Sequence, residues 1–201
     1  MEALLPLPTS SPPPPSPVLD PLHSCSNARH SLHGTCTTLS ASQSHFKTHL
    51  EKYDSILYIV FAKHSAEGEE LPFPGEVLGN VALRTKPEGP DLPPPPPSSS
   101  SNHTADRPLN LRSLGYSYLP TAWGKGYATE AARAVIDAYR ETARAKGEGD
   151  WYIEAIWGPA NAASGKVLGK LGFTEIGFKS ADRVWLAGEW RDGYVVSGLW
   201  V

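Results

Sequence analysis

Hydrophobic and polar positions along this chain follow two periods, and the switches between them mark out its elements. Tyr152, Glu154 and Ile156 alternate with Ile153, Ala155 and Trp157, the pattern of a mostly buried strand. Ser55–Lys63 (SILYIVFAK), the stretch holding Val81–Arg84, and Phe173–Phe178 also read as strands. After Gly126 the period becomes helical: Ala128, Ala131, Ala132, Val135 and Tyr139 recur on one face, with Arg133, Asp137, Arg140 and Glu141 opposite. Gly147 after Lys146 is a natural helix stop. A shorter helix follows Asn161, which can cap it; Val167, Leu168 and Leu171 share a face and Gly172 ends it. Ser40–Lys52 reads as a further helix with Phe46 and Leu50 facing inward, and no strand is evident before it.

The most informative junction is Leu114–Glu130, LGYSYLPTAWGKGYATE. A strand ends at Pro120, and Trp123, Gly124, Lys125, Gly126, Tyr127 and Ala128 form a tight loop into the long helix. Gly124 and Gly126 lack Cβ, so the loop can take unusual dihedrals and admit a ligand close to the main chain. Lys125 adds positive charge at the rim. Unpaired N–H groups at the helix start, together with the helix dipole, favour an anion there. The loop therefore predicts a phosphorylated ligand. It matches neither a P-loop nor a GxGxxG fingerprint, and two glycines alone also fit an ordinary strand–helix turn.

A second segment narrows the choice. WGKGYATEA (Trp123–Ala131) is followed by NAASGKVLGKLGF (Asn161–Phe173), and the pair resembles the GNAT superfamily of acyl-CoA-dependent N-acetyltransferases, of the ribosomal-protein-alanine (RimJ/RimL-like) type. GEVLGNVAL (Gly75–Leu83) and GEWRDGYVVSGL (Gly188–Leu199) resemble neighbouring strands of that family, so the likeness spans about residues 45–201 apart from an insertion. It implies an α/β (mixed α+β) fold: a twisted, mostly antiparallel mixed sheet, flanked by helices, in which two parallel strands splay apart. These would be the strands ending near Leu119 and Trp157. Acetyl-CoA would lie in the gap, its pyrophosphate on Trp123, Gly124, Lys125, Gly126, Tyr127 and Ala128. Main-chain groups around Tyr118 and Leu119 would pair with the pantetheine arm, with Asn161 further along, and Ser164 would protonate the departing CoA thiolate.

The implied chemistry is direct attack of a neutral amine on the thioester, with a base to take a proton and an N–H near the end of the 114–119 strand to polarise the carbonyl. Glu154 is the candidate base, because its strand flanks the gap; an ion-paired strand residue is the alternative. Tyr116 and Tyr118 could shape the acceptor pocket or belong to the core, and Ser164 could merely bond locally in its helix.

Composition bounds what remains. The chain has 201 residues and a formal net charge of −3, which suits one domain and gives no pull towards nucleic acid or an anionic membrane. No apolar run is long enough to span a bilayer, and the N-terminus MEALLPLPTS begins with an acidic residue and is soon interrupted by prolines, which argues against a secretory signal, so the expected location is cytoplasmic. Cys25 and Cys36 make no disulfide framework; with His30 and His33 they match no usual zinc spacing, and no metal is expected. Residues 1–39 are rich in Pro and Ser and read as largely disordered, ahead of an acetyltransferase domain over 40–201. A second such tract, 86–108, reads as a disordered hairpin loop between two adjacent antiparallel strands.

The function expected from the sequence is acetyl transfer from acetyl-CoA to a primary amine, a protein N-terminus or a small molecule. Alternatives are an acyl-CoA-binding protein of the same fold that lacks catalysis, or an adaptor whose proline tracts bind SH3- or WW-type partners.

Overall fold

In the computed structural model, residues 4–6, 39–52, 54–62, 75–97, 107–147, 149–186 and 189–201 are described. The strands are β1 (Leu4–Pro6), β2 (Ile56–Phe61), β3 (Val77–Thr85), β4 (Leu109–Tyr118), β5 (Asp150–Trp157), β6 (Thr174–Leu186) and β7 (Glu189–Trp200). The helices are α1 (Leu39–Lys52), α2 (Tyr127–Lys146) and α3 (Ala162–Lys170), with a 3₁₀ turn at Pro120–Ala122. All seven strands join one sheet in the order β1-β2-β3-β4-β5-β7-β6, antiparallel except for the parallel pair β4–β5. This is the expected mixed, mostly antiparallel sheet.

The long helix behaves as its pattern requires. Ala131, Ala132, Val135, Ile136, Tyr139 and Ala143 are its buried stripe. Gly147 ends it in the left-handed region (φ +65°), donating its N–H to Ala143 O at 3.0 Å. The stripe packs against Val81 and Leu83 of β3, Leu114 and Tyr118 of β4, and Ile153 and Ala155 of β5, joined by Leu168 and Leu171. Each such buried aliphatic side chain contributes about 1.5–3 kcal/mol through removal from water. Both α2 and α3 thus cover one face of the sheet, the helix face.

The opposite face is covered differently. It presents Ile156 of β5 with Tyr194 and Val196 of β7, and Leu92 packs on this group. Leu92 belongs to the proline-rich tract 86–108. Its first part, residues 86–97, lies along the sheet instead of forming a loop free of it. Leu92 provides an apolar anchor, and the Trp200 indole donates to Pro95 O at 2.9 Å. A fixed carbonyl acceptor suits a polyproline segment, which has few N–H donors of its own. As expected, β3 and β4, on either side of the tract, are antiparallel neighbours, with Leu83 opposite Leu114. Residues 98–106 lie outside the described residues.

Two expectations need correction at the N-terminal end. A first strand does exist: Leu4–Pro6 pairs with Val60–Tyr58 at the sheet edge, where Pro6 need supply no outward N–H. The remainder of the first tract, 7–38, lies outside the described residues. Helix α1 forms as predicted, but Leu50 is 36% exposed, near the ion pair of Lys47 and Glu51. The Phe46 side chain lies outside the described residues.

Candidate active site

The parallel strands β4 and β5 form a fork. They are paired only from Leu109 opposite Asp150 to Ser113 opposite Glu154. Beyond that point Leu114–Tyr118 stay on β3, while Ala155–Trp157 stay on β7. Main-chain groups on the two inner edges therefore face each other without pairing. Leu119 N–H donates to Leu78 O at 2.8 Å and Lys86 N–H to Leu111 O at 3.2 Å, so odd-numbered residues of β4 turn their main-chain groups towards β3. By the same alternation, Leu114, Tyr116 and Tyr118 turn theirs into the fork. Of the two residues expected to offer main-chain groups there, Tyr118 is suitably placed and Leu119 is not. The Leu119 N–H is held by Leu78, and its carbonyl accepts from Ala122 N–H at 2.9 Å.

The loop after β4 is built to leave a helix end open. The Trp123 indole donates to Tyr118 O at 2.8 Å, fixing the loop to the strand, while half of its side chain remains exposed (50%). Gly124 (φ +73°) and Gly126 (φ +88°) occupy the left-handed region, which favours glycine. Gly126 is the N-cap of α2, and among the described residues no side chain caps the helix. The first N–H groups of α2, at Tyr127, Ala128 and Thr129, thus have no intrahelical partner. A Cβ built on Gly124 or Gly126 meets nothing within 4 Å, so the main chain is open to a ligand. Lys125 is exposed on the same loop, and Tyr127 and Ala128 are half-buried. An open groove of about 580 Å³, lined by Gly126, Thr129, Glu130, Arg133 and Lys170, continues from this helix end. Arg133 donates to Lys170 O at 2.7 Å across it. These are the features that a pyrophosphate-bearing ligand requires.

The start of α3 supplies the other wall of the fork. Asn161 caps it as predicted, its Oδ1 accepting from Ser164 N–H at 3.2 Å. Gly165 packs beneath the Trp157 indole, where a Cβ would come within 2.8 Å of the ring, and Trp157 Nε1 donates to Ser197 Oγ at 3.0 Å. Ser164 is half-buried, and its Oγ lies 2.7 Å from the Tyr116 hydroxyl. Burial pushes the Tyr116 phenol up from its ordinary pKa, and the hydrogen bond with Ser164 opposes that shift. The two tyrosines weighed as pocket residues therefore differ. Tyr116 reaches across to Ser164, whereas Tyr118 is a core residue whose buried hydroxyl has no hydrogen-bond partner among the described residues.

Glu154 marks the crotch of the fork, as the last β5 residue paired with β4, but it faces away from the helices. Its side chain is almost fully buried. One oxygen is bonded to Lys86 Nζ and the other accepts from Asp91 N–H at 2.8 Å. Lys86 Nζ also donates to Asp91 Oδ2 at 2.6 Å. Asp91 Oδ1 accepts from Lys179 Nζ at 2.6 Å and from the Tyr194 hydroxyl at 3.0 Å. Burial alone would raise the Asp91 carboxyl, but hydrogen bonds from Lys179 and Lys86 outweigh it and hold that carboxyl well below the usual range. For Glu154 burial prevails and pushes the carboxyl up, with Lys86 pulling the other way. The ion-paired alternative describes Glu154 as the structure shows it: both of its oxygens are engaged. Lys86, Asp91, Lys179 and Tyr194 are not identifiable from sequence patterning, because Lys86 and Asp91 lie in the proline-rich tract. The one hint is a carboxylate set in the apolar run of β5.

Among the described residues no cluster of His, Cys, Asp and Glu suits a metal ion; Cys25, His30, His33 and Cys36 lie outside them. No described helix is long and apolar enough to cross a membrane.

Comparison with known proteins agrees with this geometry. Residues 20–174 match the acetyltransferase (GNAT) domain. A search of curated proteins finds no match. Among solved structures, RimL, a ribosomal-protein alpha-N-acetyltransferase in complex with coenzyme A, superposes with a TM-score of 0.59 at 16% identity, covering 92% of this chain and 88% of that one. A GNAT-family acetyltransferase from Bacillus anthracis gives 0.54 at 16% identity, covering 90% and 87%. A ribosomal-protein-alanine acetyltransferase from Vibrio fischeri gives 0.51 at 20% identity, covering 82% and 73%. At these identities the structural likeness is one of fold, and it is the domain match that decides the family. The chain belongs to the GNAT acetyltransferase family.

Proposed function

We propose that this enzyme transfers the acetyl group of acetyl-CoA to a primary amine, a protein N-terminus or a small-molecule amine, by direct attack within a ternary complex. The observation that carries this reading is the fork between β4 and β5, with the uncapped N-terminus of α2 at one end and Ser164 at the other. The pyrophosphate fits the N–H groups at Gly126–Ala128, with Lys125 at the rim and Gly124 allowing close approach. The pantetheine arm fits the inner edge of β4, against main-chain groups of Tyr116 and the Tyr118 N–H, with the Asn161 amide near its far end.

In this reading the inner-edge N–H groups of β4 polarise the thioester carbonyl, and stabilising the developing oxyanion in this way is worth several kcal/mol. The neutral amine adds to the carbonyl carbon, the C–S bond breaks, and the thiolate leaves with a proton from Ser164 Oγ. Glu154 is held in its ion pair, so the proton shed by the amine passes to bulk water and not to that carboxylate. This last point also favours a second reading, a protein that binds acyl-CoA without turning it over.

Isothermal titration with acetyl-CoA, followed by free-thiol release over a panel of peptides and small amines, tests both. Thiol release with any amine supports acetyl transfer. Binding with silence across the panel supports the second reading, and absence of binding overturns both.

A further inference from the structure

The hydrogen bond between Tyr116 and Ser164 joins residues 48 positions apart and spans the helix side of the fork. We infer that Tyr116 arms Ser164 as a proton donor: the phenol donates to Ser164 Oγ, directs the serine's own hydrogen to the departing thiolate, and replaces the proton that Ser164 gives up. This deepens the acetyl-transfer reading and rests on it.

The chemistry asks for such a partner. A thiol leaving group of the cysteine type has a pKa near 8.5, and an aliphatic hydroxyl is a far weaker acid. Serine alone is therefore a poor proton source for a thiolate. A phenol, with an ordinary pKa near 10, is much closer to the thiol. The Tyr116 hydroxyl also lies 3.3 Å from the Ser164 carbonyl, a longer, secondary acceptor for the same single proton, so the shorter contact to Ser164 Oγ dominates. A hydroxyl that accepts a hydrogen bond is polarised to donate more strongly. Ser164 in turn is held by its N–H, which is bonded to Asn161 O at 2.9 Å and to Asn161 Oδ1 at 3.2 Å. Burial keeps Tyr116 protonated at neutral pH, the form a donor needs.

The step balances. As the C–S bond breaks, its electron pair stays on sulfur. The Ser164 proton moves to sulfur, the Tyr116 proton moves to Ser164 Oγ, and the phenolate regains a proton from solvent. Tyr116 acts through Ser164 and is a positioning residue in this account.

The test is a double-mutant cycle on the full chain. Tyr116→Phe removes one oxygen and keeps the ring. It should lower kcat about tenfold to a hundredfold, with the Kd for acetyl-CoA unchanged within about twofold. Ser164→Ala should lower kcat by at least as much, and the double variant should be no slower than the slower single, because the two act as one unit. Tyr116→Phe with wild-type kcat, or a double variant whose losses multiply, overturns the inference. A wild type that binds acetyl-CoA but releases no thiol overturns the acetyl-transfer reading and this inference with it.

Discussion

Lys86 and Glu154, 68 positions apart, form a buried ion pair at the crotch of the fork. The pair ties the proline-rich tract to the strand that borders the candidate site. Its removal should behave as loss of a buried charge pair. Lys86→Met alone leaves Glu154 without its cation, and Glu154→Leu alone leaves Lys86 with Asp91 as its remaining anion. Each should cost about 3–5 kcal/mol of unfolding free energy. The double variant Lys86→Met/Glu154→Leu should cost clearly less than the sum, since an apolar pair avoids the desolvation of both charges. Urea unfolding curves of the four proteins check this, and additive losses would show that the two residues are not coupled.

Asp91 gives the fold a specific response to acid. Its folded carboxyl is held below the usual range by Lys179 and Lys86, so the stability it contributes is complete above its unfolded pKa of about 3.9 and is lost as pH falls through the folded value. Glu154, shifted upwards by burial, works in the opposite sense, so a difference between variants is needed to isolate Asp91. Asp91→Asn should be less stable than wild type at pH 7, and the gap should narrow as pH drops below about 4. Thermal unfolding of both proteins across that range measures the gap, and a constant difference contradicts the assignment.

The Trp123 indole fastens the loop to the end of β4 through one hydrogen bond to Tyr118 O. Trp123→Phe keeps a ring and deletes the donor. A hydrogen bond of this kind is worth about 0.5–1.5 kcal/mol, so acetyl-CoA should bind roughly twofold to tenfold more weakly. Calorimetric titration reads the change, and unaltered affinity would mean that the loop is positioned without that bond.

The elements around the candidate site were legible in the sequence because their signals are local. Helix α2 follows from the 3.6-residue period, its end from Gly147, and the cap of α3 from Asn161. The glycines at 124 and 126 pointed to unusual dihedrals, and both have positive φ in the structure. What escaped depends on contacts between distant segments. Leu119 lies beside Tyr118 in sequence, but strand alternation turns its N–H to Leu78. Leu4–Pro6 is too short to carry a period, and its pairing partner lies more than fifty residues away. The counter-charge of Glu154, Lys86, sits in a tract whose prolines suggest a loop with no structure, and it takes the apolar surface around Tyr194 and the Trp200–Pro95 hydrogen bond to explain why residues 86–97 settle on the sheet. The bond between Tyr116 and Ser164 requires two motifs to meet across the fork, and neither motif encodes that alone.

The central claim is that the open N-terminus of α2 holds the pyrophosphate of acetyl-CoA. A Glu side chain at Gly126 would place a carboxylate in the space before those N–H groups, which lies open there. Because φ at Gly126 is +88°, any side chain also strains the loop, and Gly126→Ala controls for that cost of about 1 kcal/mol. The most direct measurement is calorimetric titration of acetyl-CoA into wild type, Gly126→Ala and Gly126→Glu. The account predicts binding to wild type, a modest loss in the alanine variant and no detectable binding to the glutamate variant. Equal affinity in wild type and Gly126→Glu would contradict it.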